Sequence, residues 1–266
     1  MVRYTVIGAG GFVGSHLVRA LKSAGAEVHA PVRSHDYDLP VDLGRVIYCA
    51  GLTGDYRVRP FAAVEAHVGL LSRILEAGRF ERLVYLSSTR AYQTTGAAEG
   101  REDAALSLNP GDGEQLYELS KALGENLALC RSDGRACAAR LSYVFGSQEG
   151  DTGFLSEWLL SARQARTLEV ASTPDEARDY VHIDDVTRAL RTLVDSDLNA
   201  IVNVASGDCT TNREIAEVFG EEGWRVRFTG AASPQPAVKV RIERLRELGI
   251  SPRPAREVVR AYLRSL

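Results

Sequence analysis

The chain has little lysine, little cysteine and no long apolar run. None of its apolar stretches approaches the roughly 20 residues that a membrane-spanning helix requires, so no membrane partner is expected. The apolar segment at the N-terminus is too short for a secretory signal peptide, and we expect a buried strand there. The four cysteines form no C-x-x-C pair, which is typical of reduced thiols in a protein core. Together these absences predict a cytoplasmic location.

Neither sign of charge is in large excess. The 32 basic and 35 acidic residues leave a net charge of −3, which does not favour nucleic acid as a partner. Metal-ligand patterns such as H-E-x-x-H or paired cysteines do not occur, so no metal site is expected. Only three of the basic residues are lysines, namely Lys22, Lys121 and Lys239. A lysine at a motif position is therefore informative in this chain.

Short apolar runs alternate with amphipathic stretches. Tyr4 to Ile7 and Leu83 to Leu86 are typical of buried strands, whereas 62–77 and 115–131 have helical spacing. Strands that are apolar throughout predict a parallel sheet covered on both faces, so the expected fold class is α/β: a doubly wound parallel sheet of the Rossmann type with a small mixed C-terminal substrate lobe. The predicted domains are a dinucleotide-binding domain of 1–146 plus about 180–205, and a substrate-binding lobe of about 147–179 plus 206–266.

Three glycines lie between the first predicted strand and the first predicted helix. Gly8, Gly11 and Gly14 form G-x-x-G-x-x-G, whereas G-x-G-x-x-G from Gly8 fails because Val13 holds its last position. Without Cβ atoms, the backbone N–H groups of a tight turn can approach a pyrophosphate at a helix N-terminus. The position of the motif therefore predicts dinucleotide binding, and the alternative is an ordinary glycine-rich turn.

The end of the second predicted strand indicates which dinucleotide is bound. NAD sites usually hold an acid there, whereas an arginine accommodates the 2′-phosphate of NADP. Arg33 follows this strand, and no acid occurs before Asp36. We therefore expect NADP as cofactor, with NAD as the alternative if Arg33 is only a solvated loop residue.

Tyr117 and Lys121 form Y-x-x-x-K on a predicted helix. A spacing of four places both side chains on one face, one turn apart. A free phenol, with a pKa near 10, is a poor acid or base at neutral pH, and a nearby ammonium lowers that pKa. With ten tyrosines and three lysines in 266 residues, chance provides this spacing about 0.1 times. The pair predicts general acid–base catalysis, and the alternative is an exposed helix pair.

Ser87 and Ser88 follow the predicted strand Leu83 to Leu86. Ligands of open α/β sheets bind at this carboxyl edge. A hydroxyl there can hydrogen-bond a substrate carbonyl oxygen and share its proton with Tyr117, although two serines after a strand are also a common turn or helix cap. We expect Ser88, Tyr117 and Lys121 to be the catalytic residues.

Further motifs occur in a recognisable order along nearly the whole chain. Besides the glycine loop and the tyrosine–lysine pair, they are Cys49 to Gly51, Leu86 to Tyr92, Gly124 with Glu125, Arg140 to Gly146, Arg178 to Asp185, and Asn203 to Gly207. Together they resemble the extended short-chain dehydrogenase/reductases of the NAD-dependent epimerase/dehydratase family, which act on nucleotide sugars.

The resemblance implies roles for individual residues. It places Ser88 at the catalytic serine/threonine position, and Arg178 where family members contact the substrate diphosphate; the alternative for Arg178 is an ion pair with an acid such as Asp179 or Asp185. The cofactor-binding residues that we expect are Gly8, Gly11, Phe12, Val13, Gly14, Arg33, Ala50, Gly51, Tyr117, Lys121 and Tyr143. The substrate-binding residues that we expect are Ser88, Thr89, Arg90, Tyr143 and Arg178.

Three departures from the family pattern narrow the reaction. A 4,6-dehydratase carries an Asp-Glu pair after the catalytic hydroxyl, and here Thr89 and Arg90 occupy those places, which argues against dehydration. His67 replaces the asparagine usual in the helix after Ala50. Tyr143 replaces a substrate-contacting asparagine, so the contact to sugar or nucleotide must differ.

The sequence therefore predicts an NAD(P)-dependent oxidoreductase that reduces a keto group, at C4, of a nucleotide-activated sugar. The first alternative is a nucleotide-sugar epimerase with tightly bound NAD. The second is a non-catalytic dinucleotide-binding protein, against which Ser88, Tyr117 and Lys121 argue. The expected partner is the nucleotide-sugar substrate, and the resemblance is compatible with a homodimer.

Overall fold

The structure is a computed structural model that describes residues 2–32, 42–231 and 237–266. Its central feature is a six-stranded sheet in which every neighbouring pair runs parallel. In spatial order the strands are β10 (Ile201–Val204), β6 (Ala136–Leu141), β4 (Arg82–Ser88), β3 (Arg45–Tyr48), β1 (Arg3–Ile7) and β2 (Glu27–His29). This arrangement confirms the predicted doubly wound α/β sheet.

Helices cover both faces of this sheet, which explains why its strands are apolar throughout. One face packs on α1 (Phe12–Ser23) and α6 (Ile183–Asp195), and residues such as Leu17 and Leu190 are fully buried there. The other face packs on α3 (Leu70–Ala77) and α4 (Leu116–Cys130). Two separate apolar cores therefore hold the sheet between them.

The predicted helix 62–77 is not regular. It begins as α2 (Pro60–Val64), passes through a π turn at Glu65–Gly69 and continues as α3. Two tyrosines of the sheet donate hydrogen bonds to carbonyl groups of this turn, Tyr48 to Ala66 over 2.6 Å and Tyr85 to His67 over 3.1 Å. A π turn leaves backbone groups outside the normal helical ladder, and these two hydroxyls satisfy two of them.

A smaller body of mixed structure follows the main sheet, as predicted. A three-stranded sheet orders β11 (Cys209–Thr211), β9 (Ala177–His182) and β7 (Tyr143–Phe145), with β9 parallel to β7 and antiparallel to β11. A third core of aromatic and aliphatic side chains packs beside it, around Trp158 and Phe219. The elements that supply most of this core are α5 (Phe154–Ala162), β8 (Thr167–Val170), α7 (Asn212–Glu221), β12 (Arg225–Phe228) and α9 (Ala255–Leu263).

The remaining elements are short. The pair β5 (Glu99–Gly100) and β13 (Lys239–Val240) runs parallel, and α8 (Glu243–Glu247) follows it. A 3-10 turn, Thr89–Thr94, continues directly from β4. Over the described ranges, no helix combines the length and the apolarity that a bilayer crossing requires. The division into two domains at the residues named above stays a prediction.

Candidate functional site

The turn between β1 and α1 is built on glycines. Gly8 has a φ of +83°, and a Cβ there would lie 2.7 Å from the backbone nitrogen of Ala50. A Cβ at Gly14 would lie only 2.3 Å from the carbonyl oxygen of Gly8, to which the backbone N–H of Gly11 donates a hydrogen bond over 3.0 Å. Only glycine therefore fits at Gly8 and Gly14 without moving the backbone.

Two adjoining cavities open on this turn. The larger, of about 1050 Å³, runs from the glycine turn past Pro31 and Val32 to Arg73 on α3. The smaller, of about 410 Å³, lies between the start of α1, the end of β4 and α4. Both are lined by Gly11, Cys49 and Gly51, so the two spaces meet where β3 ends.

The smaller cavity brings together most of the predicted site residues. They are Gly11, Phe12, Val13, Gly14, Gly51, Ser88, Thr89, Arg90, Tyr117, Lys121 and Tyr143. Gly8 and Ala50 line the larger cavity, and Arg33 lies outside the described residues. The structure therefore places the predicted cofactor and substrate residues along one continuous groove, apart from Arg33 and Arg178.

Tyr117 and Lys121 lie in the first part of α4, on the face that points into the smaller cavity. Both are almost fully buried, and the ammonium of Lys121 donates a hydrogen bond over 2.8 Å to the carbonyl of Leu86, next to the end of β4. The ring of Tyr85 lies 5.0 Å from this ammonium. Burial lowers the pKa of Lys121 to about 8. The lysine is thus fixed in place, and its charge is sensitive to mildly alkaline pH.

The phenol of Tyr117 is set by opposing influences. Burial is the largest and raises its pKa, because the phenolate would lose its hydration. Hydrogen bonds with the hydroxyls of Thr53 and Ser88 and the charge of Arg90 lower the pKa. Lys121, which the tyrosine–lysine spacing predicted would lower this pKa, is not among the main causes, whereas Thr53, which reaches the phenol from the loop after β3, had no sequence signal.

Ser88, at the end of β4, interacts both with the turn that follows it and with Tyr117. Its hydroxyl accepts the backbone N–H of Arg90 over 3.2 Å and so caps the 3-10 turn after β4. The same hydroxyl is close enough to the phenol of Tyr117 to lower its pKa. The cap and the site contact, which the sequence left as alternatives, therefore occur together.

Arg90 lies against Tyr117 rather than free in the cavity. Its guanidinium carbon is 5.0 Å from the ring centre of Tyr117 and 5.3 Å from that of Tyr56. It donates to the buried carboxylate of Glu118 over 2.6 Å and to the Tyr56 hydroxyl over 3.1 Å. Tyr56 and Glu118 gave no sequence signal, because neither belongs to a motif and the contact joins separate segments.

The two remaining substrate candidates form one stack in the wall of the cavity. Tyr143 is 40% exposed and lines the cavity, and the guanidinium of Arg178 lies 5.4 Å behind its ring and 4.1 Å from that of Phe154. Arg178 forms an ion pair with Glu176, two residues earlier in the same segment. Arg178 itself does not line the described cavity, and its acidic partner is neither of the two considered from sequence.

No cluster of three or more metal-ligating side chains occurs among the residues that the structure describes. The polar groups that line the smaller cavity are instead hydroxyls, one ammonium and one guanidinium, and no carboxylate in the described ranges joins them. Such a lining suits anionic ligands and proton transfer through hydroxyl groups.

Comparisons with known proteins show which family and which solved structures the chain resembles. The model of the NAD dependent epimerase/dehydratase family matches residues 4–205. A curated relative, dTDP-4-dehydro-6-deoxy-D-allose reductase from Streptomyces sp, is 24% identical over 254 residues, which span 79% of this chain and 78% of that protein.

Two solved structures share the fold over almost their whole length. MoeE5 in complex with UDP-glucose and NAD superimposes with a TM-score of 0.79 at 22% identity, covering 99% of this chain and 98% of that one. RMD from Pseudomonas aeruginosa complexed with NADPH does so with a TM-score of 0.77 at 25% identity, again covering 99% and 98%. The family match over most of the sequence confirms the resemblance drawn from the motifs: the chain belongs to the NAD dependent epimerase/dehydratase family.

Proposed function

We propose that this protein is an NAD(P)-dependent oxidoreductase that reduces the C4 keto group of a nucleotide-activated sugar. The observation that carries the proposal is the cluster of Tyr117, Ser88 and Thr53 hydroxyls at one end of a groove whose other end is the glycine turn. The printed activity of the Streptomyces relative, a 4-dehydro-sugar reductase, supports the same reaction type.

The residues present fit a dinucleotide. Gly8 and Gly14 leave room that a Cβ would fill, and the first turn of α1 holds no acid, so its N-terminus can face a pyrophosphate. We propose that the cofactor is held by Gly8, Gly11, Phe12, Val13, Gly14, Ala50, Gly51, Tyr117, Lys121 and Tyr143. When bound there, the nicotinamide supplies the hydride for the keto carbon.

Tyr117 supplies the proton in this proposal. Its raised pKa keeps the phenol protonated at neutral pH, which is the form that donates to a developing alkoxide. Ser88 accepts a backbone N–H and so keeps its own proton for the substrate carbonyl oxygen. Lys121, anchored on Leu86, offers its remaining ammonium protons to a ribose hydroxyl.

The substrate contacts follow from the lining of the smaller cavity. We propose that Ser88, Thr89, Arg90 and Tyr143 contact the sugar and its nucleotide, and that Arg178 acts through the ring of Tyr143 unless its ion pair with Glu176 opens. The absence of an acid at positions 89 and 90 argues against dehydration, since a base is needed at the carbon next to the carbonyl.

The choice of NADP rests on Arg33, which the structure does not describe, so it stays a sequence-based proposal. The alternative is an epimerase that keeps NAD tightly bound; the solved structure of MoeE5 contains NAD, whereas that of RMD contains NADPH. A homodimer and a cytoplasmic location also stay predictions.

Measurements of cofactor retention, cofactor binding and turnover test this proposal. Nucleotide released from the purified protein identifies a retained cofactor, and NADPH and NADH binding are compared by fluorescence. Tyr117→Phe should abolish turnover while the Kd for NADPH stays within about twofold, because the phenol oxygen is a small part of the cofactor contact. Arg33→Ala should weaken NADPH selectively. Retained NAD without NADPH consumption on a panel of 4-keto nucleotide sugars would replace reduction by epimerisation.

A further inference from the structure

His67 occupies the middle of the π turn between α2 and α3, where this turn meets the loop after β3 and helix α4. Its side chain is fully buried. A Cβ added to Gly51, in the loop after β3, would lie 3.3 Å from both the Nε2 of His67 and the Nζ of Lys121. The imidazole and the catalytic ammonium therefore flank the same glycine, beside the proposed cofactor groove.

The hydrogen bonds of His67 determine which ring nitrogen carries the proton. The backbone N–H of Leu52 donates to Nε2 over 3.2 Å, so Nε2 is the acceptor. Nδ1 lies 2.8 Å from the hydroxyl of Ser120, and that hydroxyl lies 3.0 Å from the carbonyl of Tyr117. The consistent chain of donors runs from Nδ1–H to Ser120 and from Ser120 to Tyr117, because a carbonyl can only accept.

This chain joins the loop after β3 to the helical turn that carries the catalytic pair. Ser120 lies between Tyr117 and Lys121 in α4, and the His67 ring also packs edge-on against the Tyr117 ring, with centres 5.3 Å apart and planes at 87°. The imidazole stays neutral, since burial and the charge of Lys121 lower its pKa to about 3. It is thus a rigid link with one donor and one acceptor.

The π turn itself is held in place from the sheet. Tyr48 and Tyr85 donate to the carbonyls of Ala66 and His67, and Gly124 leaves the room for Tyr85, because a Cβ there would lie 2.3 Å from its hydroxyl oxygen. π turns inside helices are frequent at functional sites. Here the turn presents an imidazole where the family usually has an asparagine.

We propose that His67 is a positioning residue whose neutral imidazole fixes the spacing between the Gly51–Leu52 loop and the Tyr117–Lys121 turn. Its Nε2 holds the loop, which we call the cofactor side, and its Nδ1 holds the helical turn, which we call the catalytic side. The inference rests on the proposed function only for the naming of these two sides. The links through Leu52 and Ser120 are contacts of the fold itself.

The hydrogen bonds of His67 to Leu52 and to Ser120 can be removed one at a time by substitution. An asparagine amide nitrogen takes the place of Nδ1, and a glutamine amide oxygen takes the place of Nε2, because each side chain reaches one of the two positions. His67→Gln keeps an acceptor for the Leu52 N–H but loses the hydrogen bond to Ser120. We expect kcat to fall about tenfold, while the Kd for NADPH stays within about twofold of the wild type. His67→Asn keeps Ser120 and loses Leu52; we expect the Kd to rise about tenfold with a smaller change in kcat. Equal effects of both variants, or no effect on either constant, would overturn the proposal.

A measurement on the unaltered protein determines the protonation of His67 directly, and the variants serve only to assign its signal. ¹⁵N NMR distinguishes protonated from unprotonated ring nitrogens, and His67 is assigned by the signal lost in His67→Gln or His67→Asn. We expect a neutral Nδ1–H imidazole for His67 from pH 5 to 8 (the range is about that of ordinary histidine titration). The internal control is His16, whose Nε2 lies 2.6 Å from the Asp151 carboxylate and donates to it, because a carboxylate can only accept.

An Nε2–H form, or titration of His67 near the ordinary histidine pKa, would overturn the proposal. The NMR and NADPH-binding results do not require a sugar substrate. Absence of wild-type turnover on keto-sugars would therefore count against the proposed function. The NMR and NADPH-binding results would still support or overturn the His67 proposal.

Discussion

The replacement Gly14→Ala tests the cofactor-binding role of the glycine turn at the level of single contacts. The added Cβ would lie 2.3 Å from the Gly8 carbonyl oxygen and 2.9 Å from Cα of Ala9, whereas ordinary contacts begin at 3.4 Å. The turn must therefore open by about 1 Å, a shift that removes a well-aligned N–H···phosphate hydrogen bond. Hydrogen bonds to charged groups contribute about 1.5–3 kcal/mol each, so losing one should weaken NADPH binding about ten- to hundredfold.

The neighbouring replacement Gly10→Ala is the matched control. Gly10 belongs to the same turn, but its Cβ would meet no protein atom within 4 Å and its φ is not positive. We expect its Kd for NADPH, measured by fluorescence titration, to stay within about twofold of the wild type. Thermal unfolding of both variants separates loss of binding from loss of fold. Wild-type affinity in Gly14→Ala, or the same loss in both variants, would refute the reasoning from close backbone approach.

Three further predictions concern charged groups. Because the pKa of Lys121 is lowered to about 8, NADPH affinity should decline as pH rises through 8, by up to about tenfold per pH unit. Lys121→Met should bind NADPH more weakly at neutral pH and should lack this decline, and a flat wild-type profile would contradict the prediction. Arg90→Met removes a charge that lowers the pKa of Tyr117. At saturating NADPH, the alkaline limb of the kcat profile, where the phenol loses its proton, should therefore move to higher pH; an unmoved limb would exclude Arg90 from tuning the phenol. Glu125→Gln leaves Arg140 buried without its bidentate carboxylate partner, whose oxygens lie at 2.6 and 2.7 Å. We expect urea unfolding to show a free energy of unfolding lower by about 3–5 kcal/mol, and a decrease under about 1 kcal/mol would mean that the ion pair contributes little to stability.

Much of the fold follows from local patterns in the sequence. The strands are short apolar runs, and Tyr117 with Lys121 is recognisable because a helical spacing of four fixes which side chains share a face. The glycine turn is recognisable for a similar reason, since the steric demand at Gly8 and Gly14 comes from atoms of the same short segment or the adjacent strand end. Contacts of this kind need little knowledge of the rest of the chain.

The parts that sequence analysis missed join distant segments. Thr53 contacts Tyr117 across more than 60 residues, and Tyr56 meets Arg90 only because two loops converge at the same sheet edge. The π turn cannot be recognised from the sequence, because its apolar stripe is compatible with regular helical spacing and the turn is held by hydrogen bonds from two tyrosines of the sheet. Such features depend on the packed structure rather than on any one segment.

The direct test of the central claim is transfer of isotope from the cofactor to the sugar. With NADPH in which both hydrogens at C4 of the nicotinamide are deuterium, and a 4-keto nucleotide sugar, we predict one deuterium at C4 of the product sugar, one NADPH oxidised per product, and no turnover in Tyr117→Phe. Product formation without deuterium and without net oxidation of NADPH would contradict reduction and identify an enzyme that isomerises its substrate instead.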